Sequence, residues 1–151
     1  MSLGDFLPDG SIITQASARG WRQAVSFAGQ ALVAQGVATD AYTGEMIKTV
    51  EDLGPYIVIA PGFALAHARP SPSVLKNGLS WVTLAEPVEF GNKANDPVKL
   101  VVGLAALDHE SHLDMMAALA SVLSDPVNLA AAVSATNPAK VREVLECVAV
   151  D

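Results

Sequence analysis

The run Gly54-Pro-Tyr-Ile-Val-Ile-Ala-Pro-Gly-Phe-Ala-Leu-Ala-His-Ala-Arg-Pro70 constrains this chain most. Residues 56–60 are an apolar run of mostly β-branched and aromatic residues, which suits a pleated surface, and they predict a buried strand that Pro61-Gly62 ends. Small and apolar residues at 63–66 then deliver His67, with Arg69 and Pro70 close behind. A segment of this kind commits the chain to a sheet that carries an imidazole just past a strand-and-turn unit. Ala66 and Ala68 leave that ring uncrowded, so a large group can approach it. In an extended segment Arg69 shares a face with His67. A nucleophilic imidazole beside a fixed cation suits an anionic reacting group such as phosphoryl.

The rest of the chain supplies a sheet and its cover. Residues 11–14 predict a brief strand. Trp21, Val25, Ala28 and Leu32 recur at helical spacing before Gly36, which predicts a helix over 17–35. Thr39 or Asp40 caps a second helix carrying Tyr42, Met46, Ile47 and Val50 and ending near Gly54. Residues 71–73 are loop. Residues 78–84 predict a strand, with 88–90 a short continuation after Pro87, and 91–97 a polar turn. The apolar run 98–107 suits a central strand. A helix over 111–123 is expected to bury Leu113, Met116, Leu119, Ala120 and Leu123. Pro126 opens a short helix, and Asn137-Pro138 opens a last one with Val141, Val144, Leu145 and Val148 as its buried stripe. Helices, then strands, then helices without repeat or linker predict a single α/β domain over residues 1–151, a mixed β-sheet with helices on both faces.

Composition narrows the functions open to such a domain. The chain has 151 residues, enough to bury a real core. It is 51% apolar and only 17% charged, which excludes a disordered chain. A net charge of −7 argues against nucleic acid or an anionic membrane as main partner, since both need a basic face. No run approaches the roughly 18 apolar residues that a membrane span needs. The N-terminus lacks the basic and apolar regions of a secretory signal. The single Cys147 has no intrachain partner, which fits a reducing compartment and a buried structural thiol.

Chemistry must come from few groups. The three histidines are His67, His109 and His112. The last two sit in Leu107-Asp-His-Glu-Ser-His-Leu113, between the 98–107 strand and the following helix. Ligands in α/β folds bind at the carboxyl ends of strands, and a helix N-terminus there attracts phosphate. If the two strands are neighbours, His67 and His112 can meet. Asp108 is expected to cap the helix.

These residues carry a family resemblance. Gly54-Pro-Tyr, Ala60-Pro-Gly and Ala66-His-Ala-Arg-Pro70, followed by Ala-Ala-x-x-x-x-x-His-Leu and a Leu-x-x-Val-Leu pattern, resemble enzyme IIA of the mannitol/fructose type in the bacterial sugar phosphotransferase system. The Gly-Pro-Tyr-x-x-x-Ala-Pro-Gly opening, the His-x-Arg-Pro ending and Glu89-Phe90 with Asn95-Asp96-Pro97 bring it nearest the ascorbate-specific branch. The likeness runs from Trp21 to the last helix. It implies the phosphotransferase/anion-transport-like enzyme IIA fold and a cytoplasmic phosphocarrier without cofactor or metal. His67 matches the phosphorylated histidine and His112 the second active-site histidine. The donor implied is the phosphorylated carrier protein HPr. The acceptor is a cysteine of enzyme IIB, acting with membrane enzyme IIC in ascorbate uptake. The protein is expected to stand free of its IIB and IIC partners, and a homodimer is compatible with the sequence.

One departure bears on mechanism. The mannitol branch places a helper arginine in the helix before the active strand; aligned on Met46, that position is Thr49, beside Lys48. Arg69 is the expected substitute. Phe63, Leu65, Met115 and Met116 are candidates for a shallow docking rim. The resemblance assigns His109 no role. Two other functions remain open to the sequence: a regulatory enzyme IIA-like module that passes its phosphoryl group to no sugar, and a zinc hydrolase using His109, His112, His67 and Asp108. The spacing of that second set matches no established zinc motif.

Overall fold

The structure, a computed structural model, describes residues 3–8 and 10–146. Cys147, read from the sequence as a buried thiol, and Val148, assigned to the last helix, lie outside the described residues. A short 3-10 turn, Leu3–Phe6, leads into β1 (Ile12–Ala16). Helices α1 (Trp21–Ala34) and α2 (Asp40–Leu53) follow, then strands β2 (Val58–Ala60), β3 (Phe63–Ala66), β4 (Gly78–Val88) and β5 (Val98–Ala105). Helices α3 (His109–Leu123), α4 (Pro126–Ser134) and α5 (Pro138–Glu146) close the chain.

The strands form one mixed sheet in the order β1-β4-β5-β3-β2. The apolar run predicted as central, β5, occupies the middle; it is antiparallel to β4 and parallel to β3. Both faces of the sheet are covered, and the period-2 alternation of the strands divides the core in two. Ala64, Ala66, Val82, Val101 and Ala105 face one way, onto Ala24, Val25, Ala28 and Leu32 of α1 and Tyr42, Met46 and Val50 of α2. Phe63, Leu65, Leu79, Trp81, Leu100, Val102 and Leu104 face the other, onto Met115, Leu119 and Val122 of α3, Ala132 of α4, and Val141 and Leu145 of α5. Helix α1 lies close against the sheet because small residues meet there. The missing Cβ of Gly103 leaves room for the Ser80 hydroxyl, which donates to the Ala28 carbonyl at 2.8 Å.

Caps set the helix ends much as the sequence predicts. Thr39 precedes α2 and Gly54, at φ 87°, ends it. The Asn137 side chain accepts from the Lys140 N–H at 2.9 Å, as its place before Pro138 predicts. Helix α1 begins at Trp21 rather than residue 17.

Three expectations need correction. The strand expected over 56–60 is a three-residue edge strand, 58–60, paired only with β3. Ile57 and Val58 are buried while Tyr56 and Ile59 are exposed. The interior strand leading to His67 is instead β3. Pro87 does not interrupt β4, which runs through it to Val88; a register shift between Thr83 and Val88 lets residues 85–87 bow outward, where a proline needs no ladder bond. On α3 the buried residues are Met115, Ala118, Leu119 and Val122, while Leu113 and Ala120 are exposed and Met116 and Leu123 half-buried. The apolar stripe of α3 wraps more than half the helix, so period alone does not say which part turns inward.

Candidate functional site

Strand pairing brings the histidines together. β3 and β5 run parallel in register, with Ala66 beside Gly103, so both leave the sheet at the same edge. His67 follows β3 at once. After β5, residues 106–108 turn into α3. Asp108 caps that helix, its Oδ1 accepting from the Ser111 N–H at 2.8 Å. That bond, with the Ser111 hydroxyl and the Glu110 N–H, holds the Asp108 carboxyl below the usual carboxylate range. The His112 N–H donates to the Asp108 carbonyl at 3.1 Å, which places His112 in the first turn of α3. Asn77 straps the junction: its Oδ1 accepts from Leu107 N–H at 2.8 Å and its Nδ2 donates to the Ser111 hydroxyl at 3.0 Å.

The rings form a row. Tyr56 meets His67 edge-on, with centroids 5.8 Å apart and planes at 76°. His67 lies 5.8 Å from His112 at 55°. His112 lies 6.3 Å from His109, nearly parallel at 8°. Nδ1 of His67 stands 2.8 Å from its own strand's Leu65 carbonyl. A carbonyl only accepts, so Nδ1 carries a proton, and in the neutral ring Nε2 is then the nitrogen with the free lone pair. Burial, and then the neighbouring imidazoles of His67 and His109, push His112 below the usual histidine value of 6.5. His112 is therefore a neutral imidazole with one N–H to donate. Burial likewise raises the phenol of Tyr56, against the opposing pull of Arg69.

All three histidines line one cleft of about 710 Å³, together with Lys48, Thr49, Tyr56, Arg69 and Ser71. Arg69 shares the cleft with His67, as its spacing predicts, and is exposed. The Thr49 hydroxyl is turned to its own helix, donating to the Glu45 carbonyl at 2.8 Å. Lys48 is mostly exposed and pairs with Asp52 at 3.4 Å.

The expected docking rim is elsewhere. Phe63, Leu65 and Met115 are core residues and Met116 is half-buried. The exposed apolar side chains near the histidines are Leu53, Tyr56, Leu107 and Leu113. Sequence periodicity misses them because Tyr56, Leu107 and Leu113 fit buried patterns, and only the packed structure leaves them outside. Among the described residues no three His, Cys, Asp or Glu side chains are grouped to hold a metal ion, so the zinc reading finds no support here.

Comparison with known proteins accords with this geometry. The family described as the phosphoenolpyruvate-dependent sugar phosphotransferase system, EIIA 2, matches residues 5–147. The chain is 42% identical over 116 residues to the ascorbate-specific EIIA component of Escherichia coli, covering 76% of this chain and 75% of that one. The mannitol-specific cryptic phosphotransferase enzyme IIA of Escherichia coli superposes with a TM-score of 0.87 at 32% identity, covering 97% of this chain and 99% of the other. Mannitol enzyme IIA from the Escherichia coli complex with phosphorylated mannitol enzyme IIB superposes at 0.81 and 27% identity, covering 93% and 96%.

Proposed function

Because the chain belongs to the EIIA 2 family of phosphoenolpyruvate-dependent sugar phosphotransferase systems, we propose that residues 1–151 act as one phosphocarrier unit that takes a phosphoryl group on Nε2 of His67. The donor is phospho-HPr and the acceptor a cysteine of enzyme IIB, acting with membrane enzyme IIC in ascorbate uptake. Ascorbate is supported by the 42% identity to an ascorbate-specific relative, and docking to IIB by the likeness to the mannitol enzyme IIA bound to its phosphorylated IIB. A cytoplasmic site of action accords with the partners; no single described helix is long and apolar enough to cross a membrane.

The observation that carries the reading is the bond from His67 Nδ1 to the Leu65 carbonyl. It presents Nε2 with its lone pair in a cleft lined by donors and cations. As the Nε2–phosphorus bond forms, the donor's phosphorus–nitrogen bond breaks and its electron pair leaves on the donor imidazole. Positive charge then develops on the His67 ring, and the Leu65 carbonyl stabilises it through Nδ1–H. Neutral His112 supplies an N–H to an equatorial oxygen. Such transfers depend mainly on in-line placement and neutralisation of oxygen charge. Arg69 serves the second need in place of the arginine absent at Thr49. It forms no ion pair among the described residues, whereas Lys48 is tied to Asp52. The step to IIB is the same displacement, with the cysteine thiolate attacking and His67 leaving.

The test is intact-protein mass after incubation with phosphoenolpyruvate, enzyme I and HPr. One acid-labile phosphoryl adduct is expected, lost in His67→Ala and formed slowly in His112→Ala and Arg69→Ala. Phosphorus NMR should assign it to Nε2. Failure of the parent protein to gain an adduct overturns the reading. An adduct that forms but never reaches purified IIB makes the chain a regulatory module instead.

A further inference from the structure

One buried hydroxyl outside the cleft joins the two segments that lead to the histidine pair. Tyr42, on α2, is fully buried, yet its phenol reaches two backbone segments that carry site residues. It donates to the Leu104 carbonyl at 2.7 Å, near the end of β5 and just before the turn that launches α3 and His112. It accepts from the Ala68 N–H at 3.1 Å, the residue directly after His67. The Ala68 carbonyl lies further off, at 3.2 Å, so the single proton goes to Leu104. Past Ala66 the β3–β5 ladder has ended, and no bond between these two strands spaces the chain beyond it. The Tyr42 oxygen continues that spacing by one step, as a bridge through a side chain. Burial raises the phenol to about 12, so the proton it donates stays in place over any working pH.

We propose that Tyr42 is a positioning residue for phosphoryl transfer: its hydroxyl clasps the peptide after His67 to the end of β5, and so fixes both the separation of His67 from His112 and the rotation of the His67 ring. The clasp acts through backbone. Nδ1 of His67 reaches the Leu65 carbonyl only if the ring folds back along its own strand, and the plane of the peptide between residues 67 and 68 determines whether it can. Anchoring the Ala68 N–H holds that plane.

The test is Tyr42→Phe, which removes one oxygen and keeps the ring in the core. Val50→Ala on the same buried face of α2 is the control, because it loosens packing without removing a hydrogen bond to either segment. Phosphoryl acceptance is followed in single turnover against phospho-HPr concentration, at a temperature where both variants are folded. Tyr42→Phe should slow the maximal rate roughly 10- to 100-fold, the cost of misplacing reacting groups by about 1 Å. The half-saturating HPr concentration should stay unchanged, since Tyr42 is no part of the surface. Val50→Ala should leave both at parent values. Nitrogen-15 NMR of the unphosphorylated proteins should show His67 in the Nδ1–H form in the parent and a mixture of tautomers in Tyr42→Phe. The rate measurement rests on the phosphocarrier reading; the tautomer measurement does not. A parent that accepts no phosphoryl group refutes the former alone. A His67 tautomer in Tyr42→Phe identical to the parent's, or a rate loss matched by Val50→Ala, overturns the clasp.

Discussion

Glu45 offers the most direct test of how the loop behind the site is held. Its carboxylate accepts from the Ser71 hydroxyl at 2.7 Å and also from the Ser73 hydroxyl, so one residue of α2 ties down both ends of a three-residue stretch. Arg69 stands two residues before that stretch. Hydrogen bonds to a charged acceptor are worth about 1.5–3 kcal/mol each. The two share one carboxylate, so they do not add fully, and the site is only half-buried. The loop also keeps backbone bonds in the variant, from Thr39 N–H to the Ser73 carbonyl at 2.8 Å and from Val74 N–H to the Ser71 carbonyl at 3.0 Å. Glu45→Ala should therefore cost about 2–3 kcal/mol rather than the full sum. For a domain of this size that lowers the thermal midpoint by about 5–10 °C. Glu45→Gln, whose amide still serves one hydroxyl as acceptor and the other as donor, should lose about half as much. Thermal unfolding by circular dichroism measures both. Hydrogen exchange localises the effect, with faster exchange expected at residues 69–74 and none at the α3 end of the site. A midpoint shift under about 1 °C for Glu45→Ala, too small for a single lost charged bond, would refute the assignment, because water would then serve the serine hydroxyls as well as the carboxylate does.

Three further outcomes follow from the same structure. Gly103→Ala puts a Cβ 2.3 Å from the Ser80 hydroxyl and 3.2 Å from the Ala28 backbone, and should destabilise by about 1–3 kcal/mol in urea unfolding as α1 is pushed from the sheet. His112 has a folded value below the 6.5 of the unfolded chain, so the unfolded state binds more protons just below that pH; the contribution is whole above 6.5 and is lost as pH falls, and His112→Gln should flatten that limb of the stability profile. NMR titration should show His112 moving upward in value once His67 carries a phosphoryl dianion, and no movement would remove His112 from contact with it. Leu113→Glu, on the exposed face of α3, should raise the half-saturating concentration for HPr or IIB several-fold with little change in maximal rate; equal values for variant and parent would clear Leu113 from the docking surface.

Much of this architecture was legible because local chemistry and tertiary context agree. Gly54 closes α2 where a left-handed residue is needed, and Asn137-Pro138 opens α5 with a cap and a residue that lacks an N–H. Residues 98–107, apolar but for Lys99, read as a strand covered on both sides, and β5 forms over 98–105 of them. The motif around His67 and the Asp108 cap before His112 also stand out in the chain alone. Errors came where apolar residues exceed what a face can bury. On α3, Leu113 and Met116 fit a helical stripe as well as Met115 and Ala118 do, and the sheet alone decides between them.

The sequence by itself determined most of the elements, β3 excepted, and the residue types able to do phosphoryl chemistry, because caps, turn residues and periodicity act over a few positions. Only the tertiary structure decided that His67 and His112 meet. That depends on β3 choosing β5 as a parallel neighbour, a pairing about 40 residues apart that no local pattern encodes. The tertiary structure likewise decided that Nε2 is the free nitrogen, since the Leu65 carbonyl claims Nδ1 only once the ring has folded back. It also gave the Tyr42 hydroxyl its partners: a helical tyrosine looks like core in any reading of the chain, and its hydroxyl meets Leu104 and Ala68 only when α2 packs over the ends of two strands.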